Sequence, residues 1–145
     1  MDITVAWDEE LLDTLYIRFP QRWQWDELFP LKRQAARMMA TVPRDVHLIA
    51  DLHTARMLPG GATSRMKNIT RHCPANTGLV IVVSNSLSVN LLADVFHRVT
   101  GDSNTRNFVF VTSLDEARSY LRKFDALSPR QTQIIPQLQV HEGAG

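Results

Sequence analysis

Apolar residues at Ile3, Val5 and Trp7 alternate with Thr4 and Ala6, the period-two pattern of a half-buried strand. An acidic turn at Asp8-Glu9-Glu10 follows, and Leu15, Ile17 and Phe19 then alternate with Thr14, Tyr16 and Arg18. A second strand and an antiparallel hairpin are predicted. Beyond them Leu28, Leu31, Ala35, Met38 or Met39, and Val42 recur at helical spacing. Asp26 and Glu27 precede Lys32, Arg33 and Arg37, an order that suits the helix dipole. Pro30 predicts a slight kink, or a tight first turn with the regular helix starting at Pro30, and Pro43 ends the segment.

From there strands and helices alternate. Val46 to Leu52 predicts a central strand covered on at least one face. A loop through Met57-Leu58-Pro59-Gly60-Gly61 leads to a short helix with Ala62, Met66, Ile69 and Cys73 as its buried stripe. Leu79 to Val83 is β-branched and continuous, as in a strand buried on both faces. Asn85 or Ser86 can cap a third helix carrying Leu87, Leu91, Leu92, Val95 and Val99. Phe108 to Val111 is a last strand, and Ser113-Leu114-Asp115-Glu116 is a capping box opening a helix that turns Leu114, Ala117, Leu121 and Phe124 inward. The expected fold class is α/β in the order β-β-α-β-α-β-α-β-α. Residues 1–124 form one domain with a mostly parallel five-stranded sheet and an N-terminal antiparallel hairpin. Residues 125–145, with Pro129, Pro136 and a glycine-rich end, are expected to be a weakly ordered tail whose Ile134 and Ile135 pack back on the domain or engage a partner.

The 145 residues suffice for one core, and 44% apolar with 21% charged residues is a globular balance. A net charge of +1 gives no field to capture nucleic acid. The charge is unevenly spread: residues 1–27 hold seven acids against two bases, which leaves the remainder basic. Cys73 is the only cysteine, so no intrachain disulfide or thiolate cluster forms. The start lacks a signal-peptide pattern, and the longest wholly apolar run, Leu79 to Val83, is far short of the about 20 residues of a membrane helix. A cytoplasmic protein without membrane insertion is expected.

The element order, the aspartate in Leu48-Ile49-Ala50-Asp51-Leu52 and the following Pro59-Gly60-Gly61 turn resemble STAS domains, the sulphate-transporter and anti-sigma-factor-antagonist fold. Trp23-Gln24-Trp25-Asp26 at the entry to the first helix is similar to small bacterial STAS-like proteins. The resemblance spans about residues 2–124 and implies a regulatory module. Antagonists of that family carry an Asp-Ser-Ser-Gly run with a phosphorylated serine, where this chain has Leu58-Pro59-Gly60-Gly61. A phospho-switch at that position is therefore excluded. Thr63 and Ser64 lie just downstream, where a phosphate would meet free helix N–H groups.

Candidate chemistry is sparse. Gly60, Gly61, Thr63, Ser64 and the flanking Arg56, Arg65 and Lys67 are the candidate partner- or anion-binding residues. No Gly-Lys-Ser/Thr or Gly-x-Gly-x-x-Gly run accompanies them, and no cofactor is expected. His47, Asp51 and His53 would share one face of a strand and could hold a metal, but strand-end polar residues more often solvate a loop, and no metal is expected. Trp23 and Trp25 beside Arg18 and Arg22 are candidate interface anchors if partly exposed, or a cluster sealing the sheet edge. No nucleophile, base or acid stands out. The expected function is non-enzymatic: a regulatory or scaffold module binding another protein, with a homodimer left open. The alternative is a nucleotide, lipid or anion sensor using the Gly60-Gly61 turn.

Overall fold

A computed structural model describes residues 2–55, 59–61, 65, 74–85 and 108–127 of the chain. Its five strands are β1 (Thr4–Trp7), β2 (Thr14–Arg18), β3 (Val46–Asp51), β4 (Thr77–Val83) and β5 (Phe108–Val111). They form one mixed sheet in the order β1-β2-β3-β4-β5. β1 runs antiparallel to β2, and all other neighbours are parallel. Two helices lie among the described residues, α1 (Leu28–Met39) and α2 (Leu114–Leu127). The expected second and third helices, with Cys73 and the stripes from Ala62 and Leu87, lie outside the described residues, as does the chain from residue 128.

The register divides the strand residues between two faces. Leu15 and Ile17 lie beside Leu48 and Ala50, and Val82 beside Phe110. With Trp23, Trp25 and the buried α1 residues Leu28, Leu31, Ala35 and Met39 they form one core. Ile49, Ile81, Val83 and Val111 form the other with Ala117 and Leu121 of α2. β3 is central: Val46 and Ile49 are wholly buried, so both of its faces are covered. On the α1 side an apolar cavity of about 180 Å³ is walled by residues such as Phe19, Trp23, Leu31, Val82 and Phe110.

Local chemistry explains the boundaries that differ from expectation. A 3-10 turn, Trp25–Glu27, precedes α1, so the regular helix starts at Leu28 and Pro30 is its third residue. The first-turn N–H groups have no intrahelical acceptor, so a proline there needs no kink. At the other end the N–H groups of Thr41 and Val42 bond to Met38 and Met39 in a tightened turn. Only half of the expected capping box forms at α2. Ser113 Oγ accepts from the Glu116 N–H at 3.1 Å, but the Glu116 carboxylate accepts from Thr112 N–H and Oγ1, both at 3.0 Å. α2 also continues to Leu127, past the expected start of the tail, and Asp125 in its last turn bonds to the buried His47.

The acidic arm is complemented within the chain. Asp8 and Glu10 each take a 2.8 Å bond from Arg118, Glu10 a further 2.9 Å bond from Arg122, and Asp13 pairs with Arg44. Asp13 occupies the left-handed region at φ 52°, where short polar side chains are tolerated, and it leads straight into β2.

Candidate functional site

The parallel strands β2, β3, β4 and β5 point their C-terminal ends in one direction. At that end β3 finishes on Asp51, whose side chain is 0% exposed. Such a carboxylate is tolerable only with partners for both oxygens. Oδ2 accepts from the Tyr16 hydroxyl at 2.5 Å, since Tyr16 stands on the neighbouring strand and the same face. Oδ1 accepts from the His53 backbone N–H at 3.0 Å and lies 2.6 Å from His53 Nδ1. The strand ends at Asp51 and the chain folds back in an Asx-type turn, bringing the imidazole onto the carboxylate. Burial, and then the hydrogen bond to Asp51, push the Tyr16 phenol well above its ordinary 10.0, so it remains a donor. The His53 ring itself is 58% exposed, with Nε2 3.3 Å from Thr54 Oγ1.

This arrangement corrects the expected grouping of His47, Asp51 and His53. His53 lies beyond the strand, so alternation does not set its direction. His47 sits near the other end of β3, 1% exposed, with both ring nitrogens engaged. Nδ1 accepts from the Leu79 N–H at 2.9 Å and Nε2 lies 2.9 Å from Asp125 Oδ1, while Phe124 packs edge-on against the ring. No group of three or more His, Cys, Asp or Glu among the described residues could hold a metal ion.

The second feature at this end of the sheet is the glycine turn. Trp25 Nε1 donates to the carbonyls of Pro59 at 3.1 Å and Gly60 at 2.9 Å. Gly61 adopts φ 81°, the left-handed region that favours glycine, and its carbonyl accepts from the Arg65 N–H at 3.0 Å. Gly60, Gly61 and Arg65 are exposed, and a Cβ built on Gly60 would meet nothing within 4 Å. The Arg65 guanidinium lies 3.9 Å from Asp26, itself largely exposed, which is a weak surface pair. Arg56, Thr63, Ser64 and Lys67 lie outside the described residues.

Trp23 and Trp25 are 5% and 7% exposed, stacked edge to face at 4.8 Å, with Phe19 against Trp23 at the same distance. The partial exposure assumed for interface anchors is therefore corrected. Their bulk is in the core on the α1 face, and Trp25 acts on the surface only through its indole N–H. The Trp25–Gly60 link was not anticipated, because no periodicity couples residues 35 positions apart. The Asp51–Tyr16–His53 cluster was half visible, as an Asp-x-His spacing at a strand end.

No helix of the described residues is long and apolar enough to cross a membrane. No protein-family model matches the chain, and no curated protein matches it significantly.

Proposed function

We propose that the chain is a STAS-like regulatory or scaffold module that binds another protein across Gly60, Gly61 and Arg65. The observation that carries this reading is the indole clamp. Trp25 satisfies two loop carbonyls from within, so an exposed stretch without Cβ atoms is held in one shape before any partner arrives. Preorganisation of this kind lowers the ordering cost of association. Pro59, Gly60 and Gly61 carry no ionisable side chain, which suits contact rather than chemistry. Pro59 also lacks an N–H, which leaves few amides in the turn for an anion. The sheet, with its antiparallel opening hairpin and parallel remainder, has the arrangement expected of a STAS-like domain.

A photo-crosslinking residue placed at Gly60 in cells tests the proposal. One protein should be captured, and capture should be lost in Arg65→Glu and weakened in Trp25→Phe, which keeps the ring but not the donor. Capture indifferent to both changes would overturn it. Stabilisation by phosphate or nucleotides of more than about 1 °C, abolished by Arg65→Glu, would support the anion-sensor alternative instead.

A further inference from the structure

The histidine at the end of β3 is built for more than packing. Its carboxylate partner is entirely inside the protein while the ring is 58% exposed. An ionised carboxylate only accepts hydrogen bonds. Asp51 Oδ1, 2.6 Å from Nδ1, therefore selects the tautomer with its proton on Nδ1 and its lone pair on the exposed Nε2. The backbone N–H of His53 on the same oxygen and the Tyr16 hydroxyl on the other fix the carboxylate in place. Thr54 Oγ1 at 3.3 Å from Nε2 is a long, exposed contact that an incoming group can displace. An imidazole oriented this way by a third group has the arrangement of an activated nucleophile.

We infer that His53 Nε2 accepts a phosphoryl group from a small phosphoramidate. In this step the Nε2 lone pair attacks phosphorus and forms the N–P bond. The donor's P–N bond breaks, and its already protonated nitrogen leaves as ammonia with the bonding pair. The ring keeps its Nδ1 proton and becomes cationic, and the Asp51 carboxylate, 2.6 Å away, faces that charge. No oxidant or second reactant is needed. Phosphoryl transfer passes through a loose transition state served by positioning and by electrostatic stabilisation, and the Asp51–His53 pair supplies the positioned nucleophile. The site lies beyond the C-terminal end of β3, the central strand of the sheet. This inference does not depend on the partner-binding reading, because His53 labelling is scored on the isolated chain without any protein partner.

The test is incubation of the full chain with potassium phosphoramidate, with the acid-labile phosphoryl group mapped by mass spectrometry under alkaline conditions. His53 should be labelled faster than a histidine in an unstructured peptide. His53→Asn should abolish that label. Asp51→Asn, which removes the carboxylate that orients the ring and faces its developing charge, should slow it roughly a hundredfold, the low end for losing one preorganised electrostatic partner. Labelling of His53 no faster than the peptide, or an unchanged rate in folded Asp51→Asn, overturns the inference. Because Asp51→Asn can fail to fold, long-range proton–nitrogen correlation spectra of the unmutated chain give a second measurement. They should show His53 protonated on Nδ1, and a proton on Nε2 in the neutral ring overturns the inference equally.

Discussion

Gly78 and His47 occupy one space on neighbouring strands. A Cβ added at Gly78 would overlap the His47 ring at Nδ1 and Cε1. Replacing a strand glycine with alanine ordinarily gains about 0.5–1 kcal/mol from reduced backbone freedom. Here the ring must move, and it is 1% exposed. Moving it takes the acceptor from the buried Leu79 N–H, at about 1–3 kcal/mol for an unsatisfied group. Forcing extra volume into the packed site costs roughly another 1–3 kcal/mol. The penalty exceeds the gain, so Gly78→Ala should destabilise by about 1–5 kcal/mol, centred near 3. For a domain of this size that lowers Tm by roughly 10 °C. Urea and thermal unfolding of Gly78→Ala, His47→Ala and the double variant form a cycle. With the ring gone, Gly78→Ala should be close to neutral, giving a coupling of about 2 kcal/mol or more. A stabilised Gly78→Ala, or the same loss in the His47→Ala background, would refute the overlap and the role of His47 as the reason for this glycine.

Two further predictions concern pH. Burial of Asp8 alone would raise its carboxyl, but the Arg118 guanidinium with the N–H groups of Leu11 and Glu10 holds it below the ordinary 3.8. Its contribution is therefore complete above pH 3.8 and lost as pH falls through the folded value. Arg118→Met should cost about 3 kcal/mol at neutral pH by stranding a carboxylate that is 1% exposed, and the deficit should shrink on acidification. A deficit independent of pH in denaturant titrations would contradict this account. Tyr16 has the opposite sign: its phenol is raised above 10.0, so its contribution is present below pH 10.0 and lost as pH rises through the folded value. Phenolate absorbance from Tyr16 should appear only as the chain unfolds, and Tyr16→Phe should remove that alkaline limb at a cost of about 1.5–3 kcal/mol. Ionisation of Tyr16 near pH 10 in the folded chain would count against the Asp51 bond.

What could be read from the chain was whatever depends on period. Alternation at Ile3 to Trp7 and Leu15 to Phe19 located the hairpin, and Phe108 to Val111 coincides with β5. The stripe Leu28, Leu31, Ala35, Met39 located the buried side of α1. Polar contacts between distant residues obey no period and were missed. His47 meets Asp125 across 78 positions and Arg118 meets Asp8 across 110. A rule that breaks a chain at loss of pattern thus placed the tail at Asp125, where the structure has the last turn of α2 holding a buried histidine. The choice between the two readings of the tryptophans also lay outside the pattern. Trp23 and Trp25 stand in a polar stretch beside Arg22, and only the packing of Phe19 and α1 around them decides that they are buried.

The two histidines of the β3 segment separate structure from chemistry within one strand's length. His47 engages both ring nitrogens, with the buried Leu79 N–H and with the half-buried Asp125, and is closed around by Phe124 and Gly78. Its removal should be felt in stability and in nothing else. His53 engages one nitrogen with a buried acid and leaves the ring more than half exposed, so its removal should cost about 1.5–3 kcal/mol for one hydrogen bond to a carboxylate and no packing. Satisfied hydrogen bonds and close packing govern the first site and the direction of one proton governs the second. Exposed side chains are normally free to rotate, and holding His53 in one orientation serves no packing purpose that the described residues reveal. Comparing His47→Asn and His53→Asn therefore separates the two roles: the first should shift the unfolding midpoint while leaving phosphoryl transfer to His53 in the folded fraction unchanged, and the second should abolish that transfer in the folded fraction. If both variants lose only stability, the Asp51–His53 pair is a strand terminator and the phosphoryl site does not exist.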